Sequence, residues 1–301
     1  MKTVISVLFF SFICFLLNAQ TVIERVTDKT CDCISAFNDL QTMNDSVDAC
    51  TTRSLGQVVA EGLNGEKVDF SMTGMNELVS KVAGRLFDNC WKVRMFVVND
   101  MKSQFYKESE NVKANEYYQA GNVMLEAADY EKAISSFEKA VKSDPKFIYA
   151  IDHLAICYRR QNKFEKAVKI YKQSLDIFPQ GDVALMNMAV CYNNLKKYEE
   201  ELECYSKLKW YHPLNPEGYY GMGTVFYDAG NYPQALDNFF TALHLYTSAG
   251  NEEYKADAEK MINFVYTAMD KSGQLDEFRR IAKEHNVNVN EKTGDKDSSL
   301  P

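Results

Sequence analysis

The sequence has no concentrated basic face. Lysine and arginine alternate with acidic residues, and the formal net charge is −8. Nucleic-acid binding needs basic side chains gathered on one surface, so that class of partner is excluded. Histidine is scarce. His153, His212, His244 and His285 lie far apart, and no H-E-x-x-H sets two of them on one helix face for a metal. Gly62-Leu63-Asn64-Gly65-Glu66-Lys67 lacks the spacing of a phosphate-binding loop and the Ser or Thr after its lysine. No G-x-S-x-G nucleophile elbow occurs. Acidic residues abound, but they belong to solvated helix faces. No catalytic residue, metal, cofactor or small-molecule substrate is therefore assigned, and the chain is read as a non-enzyme.

Long apolar runs are missing too, with one exception. The stretch 4–17 is apolar, comes after Lys2, and ends at Asn18-Ala19 before Gln20. That is the layout of a secretory signal peptide over 1–19. The run falls short of the roughly 20 residues a spanning helix needs. Cys14 comes after Ile13 rather than a small residue, so lipidation is not expected. An exported, soluble mature chain is expected, with membrane contact only through a partner.

The sequence does have an internal period of 34 residues from 114 onward. Ala133, Ala167 and Ala235 share one register, with Glu201 in the intervening place. Phe137, Tyr171, Tyr205 and Phe239 share a second, and Tyr130, Phe164, Tyr198 and Tyr232 a third. Small residues recur at Gly121, Ala155, Ala189 and Gly223. Pro145, Pro179 and Pro213 close three units, and Thr247 replaces a fourth proline. Within a unit the apolar residues fall at helical spacing on two stretches, and proline ends the second. Gln161-Asn162 and Gly230-Asn231 mark turns between paired helices.

This pattern resembles the tetratricopeptide repeat, with its small residue, A-x3-F and closing proline on a 34-residue period. Four units fit without a gap: 114–147, 148–181, 182–215 and 216–249. The resemblance implies an all-α fold, an α-solenoid of helix pairs stacked into a right-handed superhelix. Residues 250–285 read as degenerate capping helices and 286–301 as a disordered tail. Glu201 is expected near a shifted helix end with its carboxylate in solvent, or else against a partner.

The region 20–113 lacks the period and carries Cys31, Cys33, Cys50 and Cys90. Helices are expected over 24–40, 75–86 and 91–105, with a loop at 62–65, as a small helical domain leading into the first repeat. On one helix Cys31 and Cys33 point to roughly opposite sides, so each is expected to pair with Cys50 or Cys90. Gaps of one, sixteen and thirty-nine residues do not suit zinc, and Cys31-Asp32-Cys33 is not a C-x-x-C redox pair. Cys157, Cys191 and Cys204 read as small buried residues.

In the family that this pattern resembles, the first helix of each unit lines a concave groove that holds a peptide or helix of another protein. Position by position, the resemblance implies groove residues Tyr118, Asn122 and Leu125, then Tyr149, Asp152, His153, Ile156 and Arg159. Met186, Asn187, Val190 and Asn193 come next, then Tyr220, Thr224 and Tyr227. The carboxylate clamp of some members is incomplete, because Tyr118 and Val183 replace its lysines. Arg159 and Arg160 remain to attract an acidic partner. The chain also resembles the secreted repeat proteins of Gram-negative bacteria that act in envelope assembly. It is read as a scaffold, in the periplasm first, or outer-membrane-associated or extracellular. Two other readings are open. One is thiol-redox or metal chemistry in the cysteine region with the repeats recruiting substrate. The other is a structural role through self-association.

Overall fold

A computed structural model describes residues 20–287, fourteen helices among them and no strand. The expected signal peptide lies outside the described residues, as does the expected tail from 288 on. The chain divides into two compact units between Val93 and Arg94. The expected helical region 20–113 therefore spans parts of both.

The first unit holds α1 (Val22–Ile34), α2 (Leu40–Glu61) and α3 (Met72–Asn89). Thr21 and Glu24 form a capping box at the start of α1, and Asp39 and Ser71 cap the next two helices. The first helix stops at Ile34, short of the expected 40. Ser35, Ala36 and Phe37 turn the chain by donating to Cys31, Cys33 and Ile34 carbonyls, and Asp39 then starts α2. The second helix escaped the sequence reading because Thr51, Ser54 and Cys50 share its buried face with Met43, Leu55 and Val58. Polar residues at core positions erase the apolar stripe that pattern reading looks for. The core is small: Val22, Val26, Leu55, Val58, Leu78 and Val82 form one cluster, and Ile34, Met43 and Leu86 are buried as well. Two disulfides supplement it, Cys31–Cys90 and Cys33–Cys50, with Cα–Cα separations of 5.4 and 5.7 Å. Cys31 and Cys33 do share a helix, and each bonds a different partner.

Helix α4 (Trp91–Phe105) begins in the first unit and continues into the second. Next come four helix pairs: α5 (Val112–Glu126) with α6 (Tyr130–Ser143), α7 (Ile148–Arg160) with α8 (Phe164–Ile177), α9 (Asp182–Asn194) with α10 (Tyr198–Tyr211), and α11 (Pro216–Asp228) with α12 (Tyr232–Ser248). Between the two helices of each pair one residue has positive φ: Ala128, Asn162, Lys196 and Gly230, 34 apart. The next amide reaches back to the carbonyls of Met124, Tyr158, Tyr192 and Phe226. This six-residue hydrogen bond is a Schellman cap. Helices α6, α8 and α10 end two residues before Pro145, Pro179 and Pro213, because proline bars its neighbour from helical geometry. Thr247 imposes no such stop, and α12 runs three residues longer than its three counterparts.

Each pair closes on the same contact. An aromatic ring of the second helix packs where the first helix carries a residue without bulk. Phe137 and Phe239, both fully buried, lie directly against Gly121 and Gly223. Tyr171 and Tyr205 hold the same register with Ala155 and Ala189 sixteen residues before them, and the Tyr205 ring also lies against Gly221 of the next pair. The array is capped by α13 (Glu252–Lys271) and α14 (Leu275–Glu284), where Phe278 and Ile281 join a core with Phe239, Phe240 and Val265.

Candidate functional site

The first helices α5, α7, α9 and α11 carry the residues expected to face a partner. Helical spacing sets their side chains on one face, but they differ in availability. Tyr118 is half-buried in an aromatic group with Phe137, Phe147 and Tyr149 at centroid separations of 5.8, 5.0 and 6.1 Å. His153 meets the Tyr118 ring edge-on at 5.2 Å. Its Nδ1 lies 2.7 Å from the Tyr149 carbonyl oxygen, and burial holds its pKa down, so the imidazole stays neutral near pH 7. At the other end Tyr220 packs on Phe239 and Tyr246, and Tyr227 on Tyr232. The Thr224 hydroxyl donates to the Tyr220 carbonyl.

Two expected groove residues are not available. Asp152 is 1 % exposed and accepts a 2.7 Å hydrogen bond from the Tyr106 hydroxyl. Asn187 is 6 % exposed, with its amide spent on the Val183 carbonyl at 2.8 Å. A third correction concerns Glu201. It lies in the first turn of α10, whose start is in register with those of α6, α8 and α12 rather than shifted. It is 2 % exposed, and accepts from the Asn193 amide at 3.1 Å on both oxygens. Burial raises its pKa. Asn193 is thus half-committed to holding a buried carboxylate.

Sequence reading missed Tyr106. The part of α4 from Arg94 on lies along the repeats. The Arg94 guanidinium stacks 3.5 Å from the Trp210 ring centroid and donates to the Trp210 carbonyl. Lys102 pairs with Asp182 at 2.7 Å. The Tyr106 ring meets Tyr149 and Phe178 edge-on. The position of Asp152 is taken by Tyr118, Met186 and Tyr220 in the other repeats, so a small acid among them was the available signal. A ring from outside the repeat takes the place of the missing bulk.

Burial pushes the Asp152 carboxyl up to about 6, against the pull of the Ser174 and Tyr106 hydroxyls. A carboxyl whose folded pKa is raised binds a proton more readily in the native state. Between pH 4 and 6, stability therefore falls as pH rises. Asp152→Asn keeps an acceptor for Tyr106 and removes the buried charge. Its stability advantage over the parent is expected to grow across that window and level off near 3 kcal/mol, the shift from 3.8 to about 6 converted at ~1.4 kcal/mol per unit. Urea unfolding of both proteins from pH 4 to 7.5 checks this; a difference independent of pH would refute it.

The middle of the face is different. Ile156, Met186 and Val190 are half-buried there, beside Arg159. Burial raises the pKa of Tyr171 on α8 and Cys191 on α9, and nearby Arg159 works against that rise at both through its charge. Among the described residues it makes no ion pair, and its Nε is buried without a hydrogen-bond partner. Asn122 Oδ1 is also buried and unpartnered.

The cysteines outside the first unit are shielded. Cys157, Cys191 and Cys204 are buried thiols, pushed up to about 11, 11 and 12 by that burial. Among the described residues no group of three His, Cys, Asp or Glu side chains could hold a metal.

Residues 126–208 match the family model described as anaphase-promoting complex, cyclosome, subunit 3. The matched stretch runs from the end of α5 through most of α10. The fold is an all-helical tetratricopeptide-repeat solenoid. No curated protein matches the chain. Among solved structures, a crystal structure of MamA protein is 14 % identical, with 63 % of this chain and 98 % of that one covered and a TM-score of 0.47. MamA 41-end from Desulfovibrio magneticus RS-1 is 14 % identical over 60 % and 100 %, with a TM-score of 0.48. MamA AMB-1 is 20 % identical over 61 % and 97 %, with a TM-score of 0.44. At these values the likeness says nothing of partner or site.

Proposed function

We propose that the chain is a non-catalytic scaffold that holds a segment of another protein on the face made by α5, α7, α9 and α11. The observation that carries this reading is Arg159. A half-buried guanidinium that pairs with no carboxylate among the described residues has lost part of its hydration without gaining a counter-charge. Ile156, Met186 and Val190 around it offer apolar contact, and a segment with an acidic residue flanked by apolar ones supplies both. Tyr118, Tyr149, Tyr220 and Tyr227 extend the face with flat, partly exposed rings.

Export is part of the same proposal. Two disulfides in the first unit fit an oxidising compartment better than a reducing one, and the 1–19 segment has the layout of a secretory signal. The periplasm or the outer-membrane surface suits an adaptor of this kind. Tyr149 and Tyr220 are poor probes of binding because their rings also pack the repeats. An Arg159→Glu, Val190→Asp pair changes the face with less risk to the core. In affinity capture from the native envelope, the parent should retain a protein that the folded double variant loses. Retention of the same proteins by both would remove this face as the binding surface.

A further inference from the structure

The last repeat and its cap form an open cleft at the end of the array. It has a volume of about 600 Å³ and is lined by Tyr227 of α11, Tyr232 of α12, and Phe264, Thr267, Ala268, Lys271 and Ser272 along α13. Ala268 and the three rings supply the apolar part of its lining, beside nearly as much polar surface. The Tyr227 and Tyr232 rings lie 5.9 Å apart. Phe264 is 45 % exposed, an apolar ring left facing water. The two aliphatic hydroxyls are already committed. Thr267 donates to the Asn263 carbonyl and Ser272 to the Ala268 carbonyl, both at 3.0 Å. Their protons are not offered to a ligand. The ammonium of Lys271 is the one cation on the rim, and it makes no ion pair with Asp270 or any other carboxylate among the described residues.

We propose that this cleft takes a large apolar side chain of an extended partner segment, with a carboxylate close behind it in the chain that Lys271 holds. The inference rests on the reading of the chain as a protein-binding scaffold and adds a second, chemically defined contact at the far end of the face from Arg159. The rings select the apolar side chain, since burying aromatic surface is the strongest single contribution to peptide recognition. The charge sign selects the residue after it. In a chain of net charge −8, a lone rim cation attracts an acidic segment where most of the surface repels one. A pocket of this size exceeds one side chain, so backbone on either side of the anchor also fits.

The test uses the full mature chain and a synthetic peptide, acetyl-Gly-Ser-Trp-Glu-Ser-Gly-amide. Variants of the peptide replace Trp by Ala, Glu by Gln, or Glu by Lys. Titration by isothermal calorimetry and saturation-transfer NMR should show weak binding of the parent peptide, with Kd on the order of 0.1–1 mM, typical of a short flexible ligand. Each replaced peptide should bind about tenfold or more weakly. Phe264→Ser and Lys271→Glu alter exposed side chains and should leave the helical circular dichroism unchanged, yet weaken binding by a similar factor. Lys271→Glu should recover binding with the lysine peptide. Arg159→Glu should not change binding of this peptide. Absence of binding by the parent, equal binding of the Trp and Ala peptides, or indifference to Lys271→Glu overturns the proposal. Loss with Arg159→Glu but not with Lys271→Glu also overturns it while leaving the scaffold reading intact.

Discussion

Removing the Cys31–Cys90 disulfide by a Cys31→Ala, Cys90→Ala pair is expected to destabilise the first unit by about 4 kcal/mol. The bond closes a loop of 59 residues, and chain-entropy estimates for loops of that length give this magnitude. Cys33–Cys50 closes only 17 residues, and its removal is expected to cost about 3 kcal/mol. Both values are large against the core available. Val22, Val26, Leu55, Val58, Leu78 and Val82 form a cluster on which α1, α2 and α3 meet, with Ile34, Met43 and Leu86 also buried, and a three-helix core of that size leaves little margin. Loss of either bond should therefore leave α1–α3 partly unfolded at 37 °C. Amide exchange resolved by residue checks this. Protection should fall in α1–α3 and persist in α7–α10, whose thiols form no disulfide. Full protection of α1–α3 after removal of both bonds would show that the core suffices alone.

Alanine in place of glycine should have opposite signs at two positions. A Cβ at Gly121 would sit 2.5 Å from the Phe137 ring, which is fully buried and held by Tyr118 and His153. The ring has nowhere to go, so Gly121→Ala should destabilise by about 1–3 kcal/mol through overpacking. Gly84 lies on exposed α3 surface with nothing within 4 Å of a Cβ. There, Gly84→Ala should stabilise by up to about 1 kcal/mol, the intrinsic preference of helices for alanine. Chemical denaturation of the two variants measures both. A Gly121→Ala protein as stable as its parent would mean that the helices separate at little expense. A second variant tests the cause of the loss: adding Phe137→Leu to Gly121→Ala should recover part of it, because the smaller side chain relieves the clash.

The repeats were legible because every signal that specifies them acts over a few residues. Proline bars helix at its neighbour, a turn residue adopts positive φ within its own cap, and an aromatic meets a small residue sixteen positions away. Repetition at 34 residues then multiplied each weak signal by four. The first unit was only half legible. The structure shows Asp39 and Ser71 capping α2 and α3, and Thr51, Ser54 and Cys50 inside the core of α2 hid that helix from the apolar pattern. The candidate face was legible as a set of positions and not as a set of available side chains. Helical register puts Asp152, Asn187 and Asn193 on it, yet register does not say what else packs there.

The sequence by itself determined the all-helical class, the 34-residue period, and the separation of Cys31 from Cys33 onto two different partners. These come from local backbone chemistry and the 100° advance of a helix per residue. Only the tertiary structure decided which cysteine meets which, that Tyr106 closes over Asp152, that Glu201 is held inside by Asn193, and that Tyr227, Phe264 and Lys271 share one cleft. Most of these contacts join residues tens of positions apart, where many pairings satisfy the same local rules. Even Glu201 and Asn193, only eight apart, meet because two helices pack face to face. Packing chooses among such pairings, since it is settled by the summed burial and hydrogen bonding of the whole unit rather than by any one segment.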